Sequence, residues 1–368
     1  MESINRRIRL FVDAHVFDGI PQGTVTYLAG LYSELIKDSR FQLFIGSNER
    51  GVAEKFLGNN NFVHIKYNTH SKFKRLLYTI PKALKDNKID FAHFQYISPL
   101  LKPCRYIVTI HDLLFMEFPE NFPLIYRLKN SILFYLSAKR ADLTITVSGY
   151  SKESIHKFFK IPLNKIEITP NAVVESHENP KPIQQLLDKK FILYVSRIEP
   201  RKNQALLIEI WKELNFCDQN IDLVLVGSEG IKDDQFNQQL KDLSVREQEH
   251  FHWLTKIPSK NLTWLYQNCS LFVFPSSAEG FGVPPLEAAI YGAKVICSNT
   301  TAMADYDFFG EALFSPDNKI EFKKLIEYTL NHMNTQSDAK KEIQTRYNWA
   351  TISKHFSELI IKNYNEKE

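Results

Sequence analysis

The chain has 368 residues and a mass of 42.9 kDa, a length that suits two domains better than one. With 44% hydrophobic and 24% charged residues, its composition is that of a globular protein, which excludes disordered and fibrous classes. The net charge of +4 is too small to indicate nucleic-acid binding, and we expect no nucleic-acid partner. Residues 1–180 nevertheless hold 24 Lys and Arg against 17 Asp and Glu, and the remainder holds 22 against 25.

Export and membrane-spanning segments are not visible in the sequence. The apolar stretch near the amino terminus is interrupted by Asp13, His15 and Asp18, which does not suit a signal peptide. No run of about 18 uncharged apolar residues occurs, and the four cysteines form no metal-binding pair. We therefore expect a cytoplasmic protein with reduced thiols, and any membrane contact would be peripheral, on the inner face of the cytoplasmic membrane.

Short β-branched and aromatic runs alternate with stretches of helical period, a pattern typical of parallel sheets with crossover helices. The predicted strands, in chain order, are Ile8–Val12, Gln42–Gly46, Phe62–Tyr67, Phe91–Gln95, Tyr106–His111, Leu143–Val147, Phe191–Ser196, Asp222–Val226, Phe251–Leu254, Leu271–Phe274 and Lys294–Cys297. The stretch 169–182 is rich in Pro, Asn and charge, which suits a linker. The sequence thus predicts two doubly wound α/β domains, 1–175 and 176–348.

Residues 349–368 carry a helical stripe of apolar side chains, which predicts a terminal helix that packs on another part of the protein. Two alternatives stay open. The helix either packs on the second domain or crosses back to the first.

The segment from Phe274 to Ala289 carries the strongest chemical pattern. A buried strand ends there in a loop with two glycines, and adjacent prolines suit the first turn of a following helix. Glycines permit close backbone approach and a helix N-terminus offers N–H groups to an anion, so the loop Gly280-Phe281-Gly282-Val283 predicts a phosphate site. Glu279 before the helix and Glu287 about one turn inside it would bind different hydroxyls of one polar ligand, as a sugar has.

A basic turn follows the first strand of the second domain. Arg197 and Lys202 stand five residues apart within Ser196–Asn203. A guanidinium can bind phosphate with two N–H groups and an ammonium adds a compact charge, so the pair predicts a diphosphate-binding turn. Solvated surface is the alternative, and the position of the turn relative to Phe274–Ala289 favours the site.

Both segments resemble motifs of retaining glycosyltransferase family 4, whose members have the GT-B fold and use nucleotide-sugar donors. The family's E-x7-E and R-x4-K spacings are matched without a gap by Glu279 with Glu287 and by Arg197 with Lys202. The resemblance implies an α/β GT-B fold, in which two Rossmann-like domains face each other across a deep cleft. It also implies that Glu279 lies by the donor sugar as a catalytic and donor-binding residue, that Glu287 binds the ribose, and that the basic pair neutralises the leaving diphosphate.

Weaker matches suggest further donor contacts in the second domain. Gly227 ends the strand Leu223–Val226 and resembles the family's glycine turn. Lys256 and Ile257 fall where family members contact the base through backbone atoms.

Two matches lie in the first domain. The segment Gly19–Tyr27 resembles the family's N-terminal glycine loop, which reaches the donor phosphate, although it has the single Gly23 where many members have a pair. His111, at a strand end, corresponds to a histidine that touches the donor sugar at the reaction centre, which implies a catalytic role.

The resemblance implies a transfer that needs neither a cofactor nor a metal. Positioning and stabilisation of the leaving diphosphate would supply the rate enhancement. No D-x-D motif stands beside the phosphate loop, because Asp305-Tyr306-Asp307 lies past the donor helix.

The basic front half mixes cations with large apolar side chains in the helical stretches 71–78 and 122–140. That mixture suits peripheral attachment to an anionic leaflet and a lipid-linked acceptor, although ordinary amphipathic helices packed on their own sheet would show it too.

The segments Glu117–Pro123 and Ser196–Asn203 resemble bacterial mannosyltransferases of O-antigen and capsule assembly. GDP-mannose is therefore the leading donor, and a glycan or lipid-linked saccharide is the expected acceptor. Other GDP-sugars and UDP-sugars with glucose, galactose or N-acetylglucosamine stay open. More remote alternatives are a phosphorylase or sugar-phosphate epimerase of the same architecture, or a non-catalytic carbohydrate-binding protein.

Overall fold

The computed structural model describes residues 6–19, 23–59, 61–176, 178–332 and 337–366. The chain folds into two units, one formed by 1–172 with 347–368 and the other by 173–346. The first boundary lies three residues before the predicted position, because the connecting segment is bound to the second unit. Lys340 Nζ donates to Glu175 at 3.2 Å, and the Ser176 N–H donates to Tyr291 Oη at 2.8 Å.

The first unit is built on a seven-stranded parallel sheet. Its strands are β1 (Ile8–Asp13), β2 (Phe41–Ser47), β3 (Val63–Lys66), β4 (Phe91–Gln95), β5 (Arg105–Thr109), β6 (Leu143–Thr146) and β7 (Ile166–Ile168). In space they run β3-β2-β1-β4-β5-β6-β7. This is a doubly wound order that reverses between β1 and β4, and such sheets bind ligands at the carboxyl ends of the strands near the reversal.

Helices connect these strands. They are α1 (Gly23–Leu35), α2 (Arg50–Leu57), α3 (Lys72–Lys74), α4 (Ile80–Asp86), α5 (Leu114–Glu117), α6 (Leu124–Arg140) and α7 (Gly149–Phe159). A π-helical turn, Arg75–Thr79, joins α3 to α4. The start of α7 is fixed by a cap, since Ser148 Oγ accepts a hydrogen bond from the Ser151 N–H at 3.1 Å.

The second unit has a six-stranded parallel sheet. Its strands are β8 (Lys190–Val195), β9 (Ile221–Val226), β10 (Phe251–Leu254), β11 (Leu271–Phe274), β12 (Val295–Ser298) and β13 (Leu313–Phe314). In space they run β10-β9-β8-β11-β12-β13, so the winding reverses between β8 and β11. The connecting helices are α8 (Gln204–Glu213), α9 (Asp234–Lys241), α10 (Val245–His250), α11 (Ser259–Asn268), α12 (Val283–Ile290), α13 (Lys319–His332) and α14 (Ser337–Arg346).

The terminal helix α15 (Trp349–Asn365) packs on α1 of the first unit, which is one of the two alternatives that the sequence leaves open. Gly30 in α1 makes the approach possible, because a Cβ built there would lie 2.0 Å from Cε2 of Trp349. Arg40 adds an ion pair to Glu358 at 2.9 Å. The carboxyl-terminal residues therefore complete the first unit.

The α/β fold with two parallel, doubly wound sheets is confirmed, and the eleven predicted strands agree with observed ones within two residues at each end. The sequence missed β7 and β13. Three residues and two residues respectively are too short for a period-2 pattern. Among the described residues, no helix combines the length and apolarity that crossing a bilayer requires.

Candidate active site

The reversal between β8 and β11 places two of the predicted motifs side by side in the second unit. The loop after β8 contains the basic turn, and the loop after β11 contains the glutamate and the glycines. Hydrogen bonds join them directly. Asn203 Nδ2 donates to the Pro275 carbonyl at 2.8 Å, and the Ser277 N–H donates to the Arg201 carbonyl, also at 2.8 Å. The crevice expected of a doubly wound sheet is therefore lined by both motifs.

A buried ion cluster lies where the loops meet. Lys202 Nζ donates to Glu279 Oε1, and Nη1 of Arg201 lies 3.3 Å from Glu279 Oε2. The Lys202 and Glu279 side chains are only 9% and 10% exposed. Burial alone would raise the pKa of Glu279, but the adjacent charges of Lys202 and Arg201 outweigh it and hold that pKa below its ordinary value. Glu279 is therefore a carboxylate near neutral pH.

Arg197 lies at the exposed edge of this cluster. Its side chain is 61% exposed and reaches Glu199 at 3.2 Å, and the other oxygen of Glu199 lies 2.8 Å from Arg201. Arg201 rather than Arg197 is thus the cation beside Lys202. The sequence interpretation missed Arg201 and Glu199, which lie inside the quoted segment but at positions that the R-x4-K spacing skips.

The predicted phosphate loop leads into α12. Gly282 adopts φ 91°, which favours glycine, and a Cβ there would lie 3.0 Å from Cγ of Met303. Pro284 and Pro285 in the first turn carry no N–H, so the helix N-terminus presents the N–H group of Val283. Anion binding at this end of α12 would depend on Val283 and the loop before it.

Glu287 lies in α12 and is oriented by a tyrosine that the sequence interpretation did not include. Tyr266 Oη, on α11, donates to Glu287 Oε2 at 2.9 Å. Burial raises the pKa of Glu287. The two residues are 21 positions apart on different helices, and no sequence motif links them.

The other predicted donor contacts in the second unit follow β9 and β10, on the side of β8 that faces away from β11. Gly227 follows β9 with φ 147°, and a Cβ there would lie 2.0 Å from the Ser196 carbonyl oxygen, so only glycine allows this contact with the basic turn. Lys256 and Ile257 follow the edge strand β10, which β9 separates from β8. The structure therefore brings Gly227 to the basic turn and leaves Lys256 and Ile257 farther along the sheet.

His111 lies in the first unit, two residues after β5, and is buried. Its Nε2 lies 2.7 Å from Gln95 Oε1, and its ring packs edge-on against Tyr27 with the ring centroids 5.0 Å apart. Burial lowers the pKa of His111 to about 4, so the imidazole is neutral at pH 7. The sequence interpretation did not include Gln95 or Tyr27 as neighbours.

Gly23 is the first residue of α1 and is exposed, with open space around its Cα. Residues 20–22 of the predicted glycine loop lie outside the described residues. Within the part of the chain that the structure describes, no group of three or more His, Cys, Asp or Glu side chains is arranged to hold a metal ion.

Two doubly wound units, one of which holds a buried cation–carboxylate cluster at its sheet reversal, define a protein of the GT-B class. Residues 21–177 match the family described as Glycosyltransferase Family 4, and residues 175–346 match the family described as Glycosyl transferases group 1. Together the two matches extend over most of the sequence. The chain therefore belongs to glycosyltransferase family 4.

Two curated proteins illustrate the relationship. The chain is 31% identical over 236 residues to O-antigen chain mannosyltransferase B of Escherichia coli, which covers 61% of this chain and 60% of that protein. It is 30% identical over 201 residues to a Campylobacter jejuni protein, N-acetylgalactosamine-N,N'-diacetylbacillosaminyl-diphospho-undecaprenol 4-alpha-N-acetylgalactosaminyltransferase, covering 54% of this chain and 50% of that protein. The matches thus span 60% or less of these relatives.

Solved structures show the same fold. Anabaena HepE, crystallised in complex with UDP-glucose, superposes with a TM-score of 0.69 over 96% of this chain and 99% of its own, at 17% identity. At that identity the likeness supports the architecture alone.

Proposed function

We propose that this protein is a retaining hexosyltransferase that moves mannose from GDP-mannose to a glycan or lipid-linked saccharide during O-antigen or capsule assembly in the cytoplasm. The observation that carries the proposal is the buried cluster of Lys202, Arg201 and Glu279 at the sheet reversal of the second unit. Family membership and the name of the Escherichia coli relative support the sugar and the pathway class.

The charges of the cluster suit a departing nucleoside diphosphate. Arg197, Arg201 and Lys202 bring three positive charges, and Glu199 and Glu279 offset two of them. The remaining positive charge lies beside the glycine loop at the start of α12. Negative charge grows on the diphosphate as the sugar leaves, so fixed cations in a partly buried site stabilise the transition state more than the ground state.

The remaining residues divide the other tasks. Glu287, held by Tyr266, is the proposed ribose contact, and Glu279 is the proposed contact to the donor sugar. His111 is neutral at pH 7, so it would act as a hydrogen-bonding group at the sugar rather than as a cation. We propose that no metal takes part, because the basic residues supply the positive charge that a divalent ion would otherwise bring.

A UDP-sugar is the second candidate for the donor. The named contacts address the diphosphate and the ribose, which GDP-sugars and UDP-sugars share. Lys256 and Ile257, proposed to lie near the base, are the residues of this site that would discriminate between the two nucleotides.

The proposal is tested by measuring thermal unfolding with GDP, GDP-mannose, UDP and UDP-glucose in parallel. A ligand at 100 times its dissociation constant stabilises the folded state by about 2.7 kcal/mol. We expect GDP-mannose to raise the melting temperature most, and Lys202→Met to abolish the shift. Transfer of radiolabelled mannose to the acceptor should then be detected. NMR of the product should show an α-linked mannose, since the donor is an α-anomer and a retaining enzyme keeps that configuration. Stabilisation by none of the nucleotides, or an inverted product, would contradict the proposal.

A further inference from the structure

Large apolar side chains are exposed together on the first unit. Of the 18 exposed large hydrophobic residues in the described chain, 11 fall within three segments, 73–78, 100–101 and 124–136. Phe73, Tyr78 and Ile125 are 74%, 75% and 82% exposed. We call these three segments the apolar surface. Contiguous exposure of this kind marks an interaction site in soluble proteins.

Helix α6 shows why this exposure is not explained by the fold. Its inner face packs Phe134 and Ala138 into the core of the first unit. Ile125, Leu128 and Ile132, spaced three and four residues apart, form a second apolar stripe that is exposed. A helix that only covered its own sheet would carry polar residues on that side, so the second stripe indicates a second contact.

A groove runs between α6 and the helical segment that starts at α3. It has a volume of about 330 Å³ and is lined mainly by apolar side chains, including Phe73, Leu77, Leu100 and Leu136. Lys72, Lys129 and Arg140 also border it. The groove therefore combines apolar walls with cationic side chains.

The charge of the surrounding segments has one sign. Residues 71–85 and 124–140 contain nine Lys and Arg and no Asp or Glu; Arg75 is buried beside Asp13, and the other eight are exposed or partly exposed. Lys72 and Lys129 border the same groove, and burial together with the nearby charge of Lys129 lowers the pKa of Lys72. An anion near them would relieve this repulsion, and a layer of anions would do so for the whole region.

We propose that the apolar surface docks on an anionic lipid bilayer, with the groove receiving a hydrocarbon chain from that bilayer. Exposed Phe, Tyr and Ile side chains would enter the headgroup region while the cations contact anionic headgroups. This docking deepens the proposed function. The docking itself does not depend on that function, but the supply of an acceptor by the membrane does. The same membrane would supply the lipid-linked acceptor, delivered beside the first unit.

Vesicle sedimentation tests the docking without any need for activity. The probes are vesicles of phosphatidylcholine alone and of an equimolar mixture of phosphatidylcholine and phosphatidylglycerol. We expect the protein to sediment with the mixed vesicles and not with the neutral ones. Raising the salt from 0.1 M to 1 M shortens the screening length from about 10 Å to 3 Å, and should release most of the protein.

Point variants locate the contact. Phe73→Ser and Ile125→Ser should each lower the partition coefficient about tenfold, since each removes a large apolar side chain from the membrane contact. Lys129→Glu should lower it by about tenfold or more, because one attraction becomes a repulsion. Ile320→Ser and Lys241→Glu, at exposed positions of the second unit, are the matched controls and should leave it unchanged.

Two results would overturn the inference. One is failure of the protein to sediment with mixed vesicles at low salt. The other is a dimer in size-exclusion chromatography that Phe73→Ser dissociates, which would assign the apolar surface to a second copy of the chain. Transfer to a free saccharide acceptor without vesicle binding would refute only the docking, whereas vesicle binding without nucleotide binding would refute only the proposed function.

Discussion

Replacing Lys202 by methionine removes the ammonium that neutralises Glu279 but keeps a side chain of similar length. Both partners are about nine-tenths buried, and removal of one member of a buried pair costs about 3–5 kcal/mol. Arg201 remains 3.3 Å from the other carboxylate oxygen and compensates in part. We therefore expect the free energy of unfolding of the second unit to fall by about 2–3 kcal/mol at pH 7.

The pH dependence of this loss follows from the charge of Glu279. In the wild type the neighbouring cations lower the pKa of Glu279, so its contribution is present above the ordinary pKa of 4.5 and disappears as the pH falls through the folded-state pKa. Without Lys202, burial raises the Glu279 pKa relative to the wild type. The variant then takes up a proton more readily on acidification, and its stability deficit should shrink as the pH falls toward 4.5.

Urea denaturation followed by fluorescence measures these differences, and a second substitution separates stability from function. Lys202→Met combined with Glu279→Gln removes the unpaired charge, so we expect it to recover most of the lost stability while nucleotide-sugar turnover stays low. Arg197→Ala, at a 61% exposed side chain, should change stability by less than about 0.5 kcal/mol and still reduce turnover. A double variant whose loss in free energy of unfolding equals the sum of the two single-variant losses would contradict this coupling between Lys202 and Glu279.

Four further expectations concern other parts of the molecule. Gly30→Ala should destabilise the first unit by about 1–3 kcal/mol in urea denaturation, because a Cβ there overlaps Trp349. Gly51→Ala, in open space on α2, is the control and should not destabilise it. Tyr266→Phe should raise the donor KM about tenfold with kcat little changed, as steady-state kinetics will show, since it removes one charge-assisted hydrogen bond to the proposed ribose contact. EDTA should leave turnover unchanged, and a loss reversed by Mg²⁺ would reveal a metal requirement. Gln95→Leu should lower kcat without changing nucleotide affinity in a binding titration, because it removes the hydrogen-bond acceptor of His111.

Much of the architecture could be predicted because strands of a parallel sheet are buried on both faces and therefore appear in the sequence as short runs rich in apolar and aromatic residues. Phe91–Gln95 and Leu271–Phe274, for example, are found with the bounds that the sequence predicts. The winding order then brings Lys202 and Glu279, which lie 77 positions apart, to neighbouring strand ends. The contact between Lys202 and Glu279 could therefore be expected from the sheet topology together with the two motifs.

The details that the sequence missed are contacts that depend on side-chain direction. Arg201, whose side chain is 12% exposed, lies beside Glu279 from the 3-10 turn Pro200–Lys202, whereas motif spacing alone favours Arg197. The position of α15 depends on the fit of Trp349 against Gly30. An amphipathic stripe shows that a helix packs, but it carries no information about which surface it packs on.

A buried hydrogen-bond chain fixes the protonation of His111. The Gln95 amide nitrogen and the Thr109 hydroxyl lie 3.2 Å and 2.7 Å from His93 Nε2. An amide nitrogen only donates and a hydroxyl can donate, so with this amide orientation His93 Nε2 accepts from both. His93 then carries its proton on Nδ1 and donates to Tyr32 Oη at 2.7 Å. With its nitrogen directed at His93, Gln95 presents Oε1 to His111 and accepts from the Nε2–H at 2.7 Å. The lone pair of His111 is therefore on Nδ1.

Gln95→Leu removes the acceptor while keeping an apolar side chain of similar size, so His111 loses the partner that orients its ring and selects its tautomer. We expect kcat to fall about 10- to 100-fold, the size of the effect when the hydrogen-bond partner of a metal-bound histidine is removed. Affinity for free GDP should be unchanged, since the assigned diphosphate contacts other than Gly23 belong to the second unit. Nitrogen-15 NMR supplies a readout independent of turnover and should show a protonated Nε2 for His111 in the wild type and a mixture of tautomers in the variant. A wild-type spectrum with the proton on Nδ1, or equal losses of activity and nucleotide affinity, would contradict the assigned hydrogen-bond chain.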